Sequence, residues 1–335
     1  QFDIRSLQYT TAYVSEIDLH DQGTNVLLHT EKPRAYRVYR DEVDFDGRYI
    51  VQKLARSGYR VRVATRRPNE AIFLKTYGMV GQVEPVLCNI RNEDSIRNAM
   101  LGAEAVINCV GILESVGKNK FVEVQHKGAD FVSRIASELG VKKLVHISAI
   151  GADINSKSKY ASSKALGEAS IIKNFSNAVI LRPSIVFGFE DKFFNRFASM
   201  ARLSPILPIV GGNTKFQPVY VDDVARAAFL GIKNDIQPGV YELGGPEVVS
   251  FTELMRRMLN IILRRRLIVN MPFWIAKLVG TGFDLGNAIS LGIIRGPITR
   301  DQVLNLENDN VVSSEEKTFK ALGIEPKALE IILSE

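Results

Sequence analysis

The chain has 335 residues, of which 46% are hydrophobic and 24% charged, and it carries a formal net charge of +6. This composition is typical of a folded globular protein and excludes a disordered or fibrous one. The positive charge favours anionic partners such as nucleotide phosphates or acidic lipids, but the longest basic run is Arg264–Arg266 and no recognition motif accompanies it. We therefore predict no nucleic-acid partner.

The cysteine content indicates neither a disulfide framework nor a metal site. Cys88 and Cys109 each end an apolar run that predicts a buried strand, and no CxxC spacing or Cys/His cluster is present. A reducing compartment is the simplest interpretation. The first residues also lack the basic region and apolar core of a secretory signal, so none is predicted.

From residue 47 onward, predicted helices and strands alternate. Apolar residues at helical spacing predict a helix from Gly47 to Tyr59. Near-continuous apolar runs predict strands, chiefly at Arg60–Arg66, Ala105–Gly111, Leu144–Ile150 and Ala178–Gly188. Apolar strands separated by helices imply a parallel sheet that is covered on both faces. The prediction is a doubly wound α/β fold, which binds ligands at the carboxyl ends of its strands.

Beyond Gly188 the alternation becomes irregular, so we predict a main α/β domain over 47–190 and a smaller C-terminal lobe over 191–335. Within the lobe, residues 271–299 are apolar and glycine-rich, but Lys277, Asp284 and Asn287 interrupt them. No charge-free run reaches the roughly 18 residues of a membrane-spanning helix. Two interpretations stay open: a helix pair packed within the lobe, or a surface that lies on a membrane or another subunit, helped by Trp274.

The strongest chemical signal is the pair Tyr160 and Lys164, which follows Ser148 at the end of a predicted strand. Residues four apart share a helix face. An ammonium near a phenol favours the phenolate and so lowers the tyrosine pKa, which allows proton exchange near neutral pH. A serine across the cleft would orient a substrate carbonyl or hydroxyl. The same spacing also occurs by chance, and the alternative interpretation is that Tyr160 and Lys164 are an exposed pair on a helix without a function.

Four stretches resemble the extended short-chain dehydrogenase/reductase superfamily, which has a Rossmann-type fold: residues 47–68, 144–168, 178–205, and 217–227 with 296–303. The run from Phe193 to Met200 and the run Ile298–Asp301 resemble, more narrowly, the subfamily of Rossmann-type accessory subunits of respiratory complex I and their bacterial relatives. The resemblance covers almost all of the chain after residue 46.

The resemblance implies a nicotinamide dinucleotide and assigns residues to it. Arg66 and Arg67 stand where NAD-preferring relatives place an acidic residue, so NADP(H) is favoured over NAD(H), although a solvated strand end is the alternative. The implied contacts, from adenine to nicotinamide, are Gly47, Arg66, Arg67, Asn89, Val110, Gly111, Tyr160, Lys164, Pro183 and Ser184. Ser148, Tyr160 and Lys164 are the implied catalytic set. Asp222 and Asp223 are interpreted as a structural helix start.

The N-terminal segment, 1–46, departs from the family. A dinucleotide site needs an apolar strand followed by glycines that admit the diphosphate to a helix N-terminus. Here only Phe45 and Gly47 match, and Glu42, Asp44 and Asp46 stand where the diphosphate should lie and would repel it. Residues 1–40 also lack the expected apolar first strand. If this segment is genuine, cofactor binding is predicted to be badly weakened, and the central strand of the sheet is in doubt.

Two explanations of the segment remain. Codons for a family-like Gly-Ser-Gly-Phe loop (GGA-AGT-GGA-TTT), read one nucleotide out of frame, give the Glu42-Val43-Asp44 sequence followed by a Phe or Leu codon. Residues up to about 45 would then be an out-of-frame read, which resequencing the gene would test. The alternative is genuine divergence in a protein that no longer uses a cofactor.

Three functions are compatible with these observations. The first is an accessory or assembly subunit of respiratory complex I that holds NADP(H) with little or no turnover. It would work at the inner face of a bacterial plasma membrane or on the matrix side of the mitochondrial inner membrane, with 271–299 in peripheral membrane contact. The second is an active NADP(H)-dependent oxidoreductase or epimerase/dehydratase that uses Tyr160, Lys164 and Ser148. The third is a cofactor-free scaffold.

Overall fold

The computed structural model describes residues 26–29, 35–39, 45–233, 236–289 and 298–330, with only the backbone of the two N-terminal strands. The predictions concerning Glu42, Asp44 and the shifted reading frame fall outside the described residues.

Strands and helices alternate much as the sequence predicts. The strands of the described ranges are β1 (Val26–His29), β2 (Ala35–Tyr39), β3 (Arg60–Thr65), β4 (Val83–Leu87), β5 (Ala105–Asn108), β6 (Lys143–Ile147), β7 (Val179–Pro183), β8 (Val186–Phe187), β9 (Ile206–Val210), β10 (Lys215–Phe216), β11 (Val219–Tyr220), β12 (Gly239–Leu243), β13 (Val249–Ser250) and β14 (Leu267–Met271). The α-helices are α1 (Phe45–Arg56), α2 (Glu93–Met100), α3 (Lys127–Glu138), α4 (Lys159–Asn174), α5 (Lys192–Leu203), α6 (Val221–Lys233), α7 (Phe251–Ile261), α8 (Phe273–Ile289) and α9 (Arg300–Asn305). Two 3₁₀ helices, Pro68–Tyr77 and Phe319–Leu322, and a π-helical turn, Val122–His126, complete the set.

The main sheet of the described residues has the strand order β12-β7-β6-β5-β1-β2-β3-β4. All of these strands except β1 pair in parallel. Strand β2 lies between β3 and β5, the place of the first strand in a doubly wound fold, and its Val38 is in register with Ile107. Strand β1 enters the same region antiparallel to its neighbours. The expectation of a missing central strand is therefore wrong: the segment Ala35–Tyr39, in which Arg37 interrupts apolar and aromatic residues, fills the position.

Helices cover both faces of the sheet. On one face α1 and α6 pack through residues such as Ile50, Leu54 and Val224, all fully buried. On the other face α2, α3 and α4 pack, with Val132 and Ile171 in the core. The doubly wound α/β fold predicted from the sequence is confirmed. Its topology places a ligand crevice at the carboxyl ends of the strands beside β2 and β5.

A second core forms the smaller lobe. It contains α5, α7 and β9 and is filled by aromatic rings in edge-to-face or tilted contact: Phe193, Phe194, Phe197, Phe216 and Phe251. The domain boundary at residue 190 stays a prediction. The chain after residue 190 does not lie wholly in the smaller lobe, since parts of it return to the main sheet. Strand β12 forms the edge of that sheet next to β7, and Phe319, Leu322 and Ile324 pack in the core under α6.

Two local differences from the sequence prediction affect the site. The single strand predicted over Ala178–Gly188 is divided into β7 and β8, since Pro183 has no N–H to continue a ladder. Helix α6 begins at Val221, so Asp222 and Asp223 lie within its first turn rather than at its cap. Asp223 is fully buried, its carboxylate accepts a hydrogen bond from Lys327 N (2.8 Å), and burial raises its pKa.

The apolar stretch after β14 forms α8, which is partly buried and partly exposed. Ala276 is fully buried, whereas the side chains of Trp274 and Leu278 are each 66% exposed. Within the described ranges, no helix combines the length and the hydropathy needed to cross a membrane. The helix therefore packs through one face on the lobe and presents apolar side chains on another.

Candidate functional site

A cleft of about 390 Å³ opens at the carboxyl ends of β5, β6 and β7, between the main sheet and the smaller lobe. Its wall brings together six of the residues that the sequence singles out: Gly111, Ser148, Tyr160, Lys164, Pro183 and Ser184. They come from four separate stretches of chain, which the parallel topology aligns at one edge of the sheet. The place agrees with the general rule for ligand sites in this kind of fold.

Helix α4 presents Tyr160 and Lys164 to the cleft on one face. Lys164 is 4% exposed, and its ammonium donates a hydrogen bond to the carbonyl oxygen of Ile147 at 3.1 Å. The Tyr160 ring packs edge-to-face on Phe121, with 6.0 Å between centroids. A Cβ on Gly111 would lie 3.0 Å from Lys164 Nζ, closer than side chains normally pack. A glycine at this position therefore keeps room for the lysine head group.

Ser148 follows β6 directly, and its buried hydroxyl lacks a hydrogen-bond partner in the described residues. The residue is 4% exposed. A buried hydroxyl without a partner costs free energy, on the order of 1–3 kcal/mol. A ligand in the cleft that accepted or donated a hydrogen bond here would remove that cost.

A C-terminal segment closes one side of the cleft. The hydroxyl of Ser184 lies within hydrogen-bonding distance of two oxygens of Asn310, 2.6 Å from Oδ1 and 3.0 Å from the carbonyl oxygen. Asn305, Asn308 and Asp309 line the same wall. The sequence indicates none of these residues, because they carry no periodic pattern and, as with Asn310 and Ser184, contact parts of the chain far away in sequence.

The π-helical turn before α3 supports the cleft wall through the side chain of Gln125. Gln125 is 2% exposed; its amide nitrogen donates to Ile112 O (2.8 Å), and its amide oxygen accepts from the hydroxyl of Ser163. The turn therefore joins the loop after β5 to α4. Single π turns inside helices often mark functional positions, and this signal is not visible in the sequence.

His146 lies under the same site, in β6, and is fully buried. Burial and then the nearby Lys164 ammonium hold its pKa well below the ordinary value of 6.5. The imidazole is therefore neutral at physiological pH. A second positive charge beside Lys164 is avoided in this way.

The other predicted contacts do not line this cleft. Arg66 donates to Asn119 Oδ1 (3.2 Å), and Arg67 forms an ion pair with Glu70 (3.0 Å). The amide oxygen of Asn89 accepts from the Arg91 backbone within its own turn. The Val110 side chain is packed in the core, and Gly47 lies buried in the first turn of α1. Their roles toward a ligand stay predictions.

The two ends of the site differ in how well they fit the predicted dinucleotide. At the α4 end, the Ser148 hydroxyl, which has no partner in the described residues, and the Lys164 ammonium, for which Gly111 keeps room, suit a nicotinamide riboside. At the α1 end, Asp46 lines the cleft from the first turn of the helix and is 6% exposed. A helix N-terminus attracts anions, but a buried carboxylate there opposes a diphosphate. The fit is good at one end and poor at the other.

Comparison with known proteins agrees with this architecture. The model of the NAD dependent epimerase/dehydratase family matches residues 44–244. An Arabidopsis thaliana protein, mitochondrial NADH dehydrogenase (ubiquinone) 1 alpha subcomplex subunit 9, is 33% identical over 85% of this chain and 73% of its own length. The 40 kDa subunit of mitochondrial NADH-ubiquinone oxidoreductase from Neurospora crassa is 31% identical, over 84% of this chain and 72% of its own.

Solved structures share the fold at lower identity. An NADPH-dependent quinone oxidoreductase from Escherichia coli, solved with NADPH, superposes with a TM-score of 0.64 at 17% identity, covering 86% of this chain and 95% of the other. The resemblance to complex I accessory subunits that the sequence suggested is confirmed by the curated relatives. Because the family model spans the greater part of the chain and agrees with the observed sheet, the chain belongs to the NAD dependent epimerase/dehydratase family.

Proposed function

We propose that this protein is an accessory or assembly subunit of respiratory complex I that binds NADP(H) and turns it over little or not at all. The observation that carries the proposal is the cleft itself: Ser148, Tyr160 and Lys164 converge in it, and the buried Ser148 hydroxyl lacks a partner in the described residues. The complex I subunits among its relatives support the accessory role.

In this proposal the chain's residues bind and orient the nicotinamide end. A bound nicotinamide dinucleotide supplies a hydride donor or acceptor. Lys164 would donate to the ribose hydroxyls from its fixed position beside Ile147, and Tyr160 would contact the same ribose. Ser148 would bind the nicotinamide or substrate side, with Pro183 and Ser184 beside it. The buried surroundings would exclude water from this end.

The proposed preference for NADP(H) over NAD(H) rests on Arg66 and Arg67 after β3. A guanidinium forms strong, bidentate hydrogen bonds with a phosphate, so an arginine suits the 2′-phosphate of NADP(H). Arg67 pairs with Glu70 at 3.0 Å, and Arg66 donates a hydrogen bond to the amide oxygen of Asn119 at 3.2 Å. Both guanidinium groups lie at the end of β3, where the 2′-phosphate would approach.

The proposed partners are other complex I subunits, and the proposed contact is through α8. The exposed Trp274 and Leu278 give this helix an apolar face suited to a protein or to the surface of a membrane. The relatives are mitochondrial, which supports the matrix side of the inner membrane; the inner face of a bacterial plasma membrane is the alternative.

A second candidate function is an active NADP(H)-dependent oxidoreductase or epimerase/dehydratase. The observation in its favour is that the Ser148, Tyr160 and Lys164 set is complete and shares one cleft. Tyr160 would exchange a proton with the substrate, Lys164 would favour the phenolate, and Ser148 would orient the substrate. The same residues also serve a protein that only holds the cofactor.

One purification separates these functions. The full chain is purified and divided into two samples. One is denatured and analysed for released nucleotide, and the other, kept folded, is assayed for NADPH oxidation with quinone and carbonyl substrates. Retained NADPH without steady oxidation supports the accessory role, and sustained oxidation would overturn it in favour of the enzyme.

The matched variant replaces Glu42, Val43 and Asp44 with Gly, Ser and Gly, which restores the family-like loop. If neither protein binds NADP(H), the chain is a cofactor-free scaffold and the proposal fails. Complex I subunits that co-purify with the tagged chain test the partner separately.

A further inference from the structure

The first turn of α4, which carries Tyr160, is held by a carboxylate that follows much later in the chain, on α9. Asp301, in α9, accepts hydrogen bonds from Lys159 N (2.6 Å), from Tyr160 N (3.1 Å) and from the hydroxyl of Ser158 (2.9 Å). It belongs to the Ile298–Asp301 run, one of the stretches that resemble the subfamily of complex I accessory subunits.

The helix start is completed by this contact. A helix leaves its first four N–H groups without internal partners. Ser158, the N-cap, accepts from Ala161 N through its hydroxyl (3.3 Å), and its carbonyl oxygen accepts from Ser162 N (3.0 Å). The N–H groups of Lys159 and Tyr160 remain, and Asp301 accepts both. A negative charge at this position also complements the helix dipole.

Asp301 is itself held rigidly. Helix α9 begins with a capping box in which the Thr299 and Gln302 side chains each accept from the other's backbone. Arg300 N donates to Asp284 of α8 at 3.1 Å, and a Cβ on Gly280 would lie only 2.8 Å from Arg300 N. The start of α9, and with it Asp301, is thus held against α8 by a close backbone contact.

We propose that Asp301 is a positioning residue for the nicotinamide end of the cleft: it fixes the first turn of α4 and thereby the place of Tyr160. The inference deepens the proposed function and rests on it for the identity of the ligand alone. The smaller lobe would in this way set the geometry of a site that otherwise belongs to the sheet. Freed of Asp301, the first turn would fray, and a cofactor would have to order it on binding.

The test compares Asp301→Ala with Asp301→Asn, which keeps an acceptor oxygen but not the charge. The matched control is Glu307→Gln. Glu307 lies just after α9 and pairs with Lys277 of α8 at 2.6 Å, but it does not contact α4 through this pair. Amide hydrogen exchange is followed in residues 158–164, with α7 as an internal reference. Affinities for NADPH and for adenosine 2′,5′-bisphosphate, which lacks the nicotinamide riboside, are measured on the same full-length proteins.

We expect Asp301→Ala to speed exchange in the first turn of α4 by about tenfold, in line with the loss of a helix cap, and Asp301→Asn to do so less. NADPH affinity should fall by about tenfold while affinity for the bisphosphate stays unchanged. Unchanged exchange in Asp301→Ala would overturn the proposal, as would an equal loss for both ligands or the same changes in Glu307→Gln.

The outcomes also separate the two proposals. If the wild-type protein binds no NADPH, the proposed function fails, and the exchange measurement alone decides whether Asp301 fixes α4. If Asp301→Ala does not fold, Asp301→Asn provides the same two readouts.

Discussion

The two ends of the cleft are built in different ways. At the α4 end, hydrogen bonds join α4 to the backbone of β6, to the π-helical turn and to the C-terminal segment, and Lys164 and Gln125 are almost fully buried. At the α1 end, one helix turn faces the cleft and contributes the carboxylate of Asp46. The difference indicates that the two halves of a dinucleotide site can diverge separately, because they are positioned by different contacts.

The largest expected effect tests the α4 end. Lys164→Met keeps the length of the side chain and removes the ammonium, so a charge-assisted hydrogen bond to the cofactor is lost. We expect about a hundredfold weaker binding of NADPH, which corresponds to roughly 2–3 kcal/mol. Calorimetric titration measures it, and circular dichroism checks that the fold is kept. Binding that is unchanged would mean that this end of the cleft does not hold the nucleotide.

The second prediction concerns the strand end after β3. Arg66→Gln removes the guanidinium proposed to bind the 2′-phosphate, so NADPH affinity should fall by about tenfold or more while NADH affinity stays the same. Arg67→Gln is the matched comparison, because Arg67 follows Arg66 directly at the end of β3 and pairs with Glu70 at 3.0 Å. Equal losses for NADPH and NADH would contradict the assignment of Arg66.

A smaller and opposite effect is expected at the α1 end. Asp46→Asn removes a buried negative charge from the first turn of α1, where a diphosphate would approach. Affinity for NADPH should rise by roughly fivefold, because the repulsion between like charges is removed. Competition binding on the two proteins measures the change. A decrease would mean that Asp46 supports the site rather than opposing the phosphates.

The last prediction uses the pH dependence of folding. The pKa of His146 lies well below 6.5 in the folded protein, so the unfolded state binds more protons once the pH falls below that value. The contribution of neutral His146 to the unfolding free energy is therefore fully present above pH 6.5 and is lost as the pH decreases from there. In His146→Met, the loss of unfolding free energy between pH 7.5 and pH 5.0 should be smaller by about 1–2 kcal/mol. Urea unfolding at the two pH values tests this, and an unchanged difference would contradict it.

Much of the fold could be predicted from the sequence, because apolar periodicity marks buried strands and helices directly. The central strand could not: its slot is occupied by Ala35–Tyr39, whose sequence shows neither a continuous apolar run nor alternation. Its place in the sheet is set by the neighbouring strands β3 and β5. The division into β7 and β8 was also missed, although Pro183 was the available signal.

The site was predictable in part, for a similar reason. Ser148, Tyr160 and Lys164 lie close in sequence and carry a recognisable spacing, and the structure places them in one cleft. Asp301 and Asn310 reach the site from more than a hundred residues away. Contacts over such separations depend on how the smaller lobe docks on the sheet, and no local pattern encodes that.

The return of the chain to its first domain has a consequence for synthesis. Phe319, Leu322 and Ile324 complete the core beneath α6, and Glu316 pairs with Arg182 of β7 at 3.5 Å. During translation these residues leave the ribosome only after the whole smaller lobe has been made. The main sheet and its helices therefore cannot complete their core before the smaller lobe has been synthesised. The nascent form would expose the apolar surface under α6 until then.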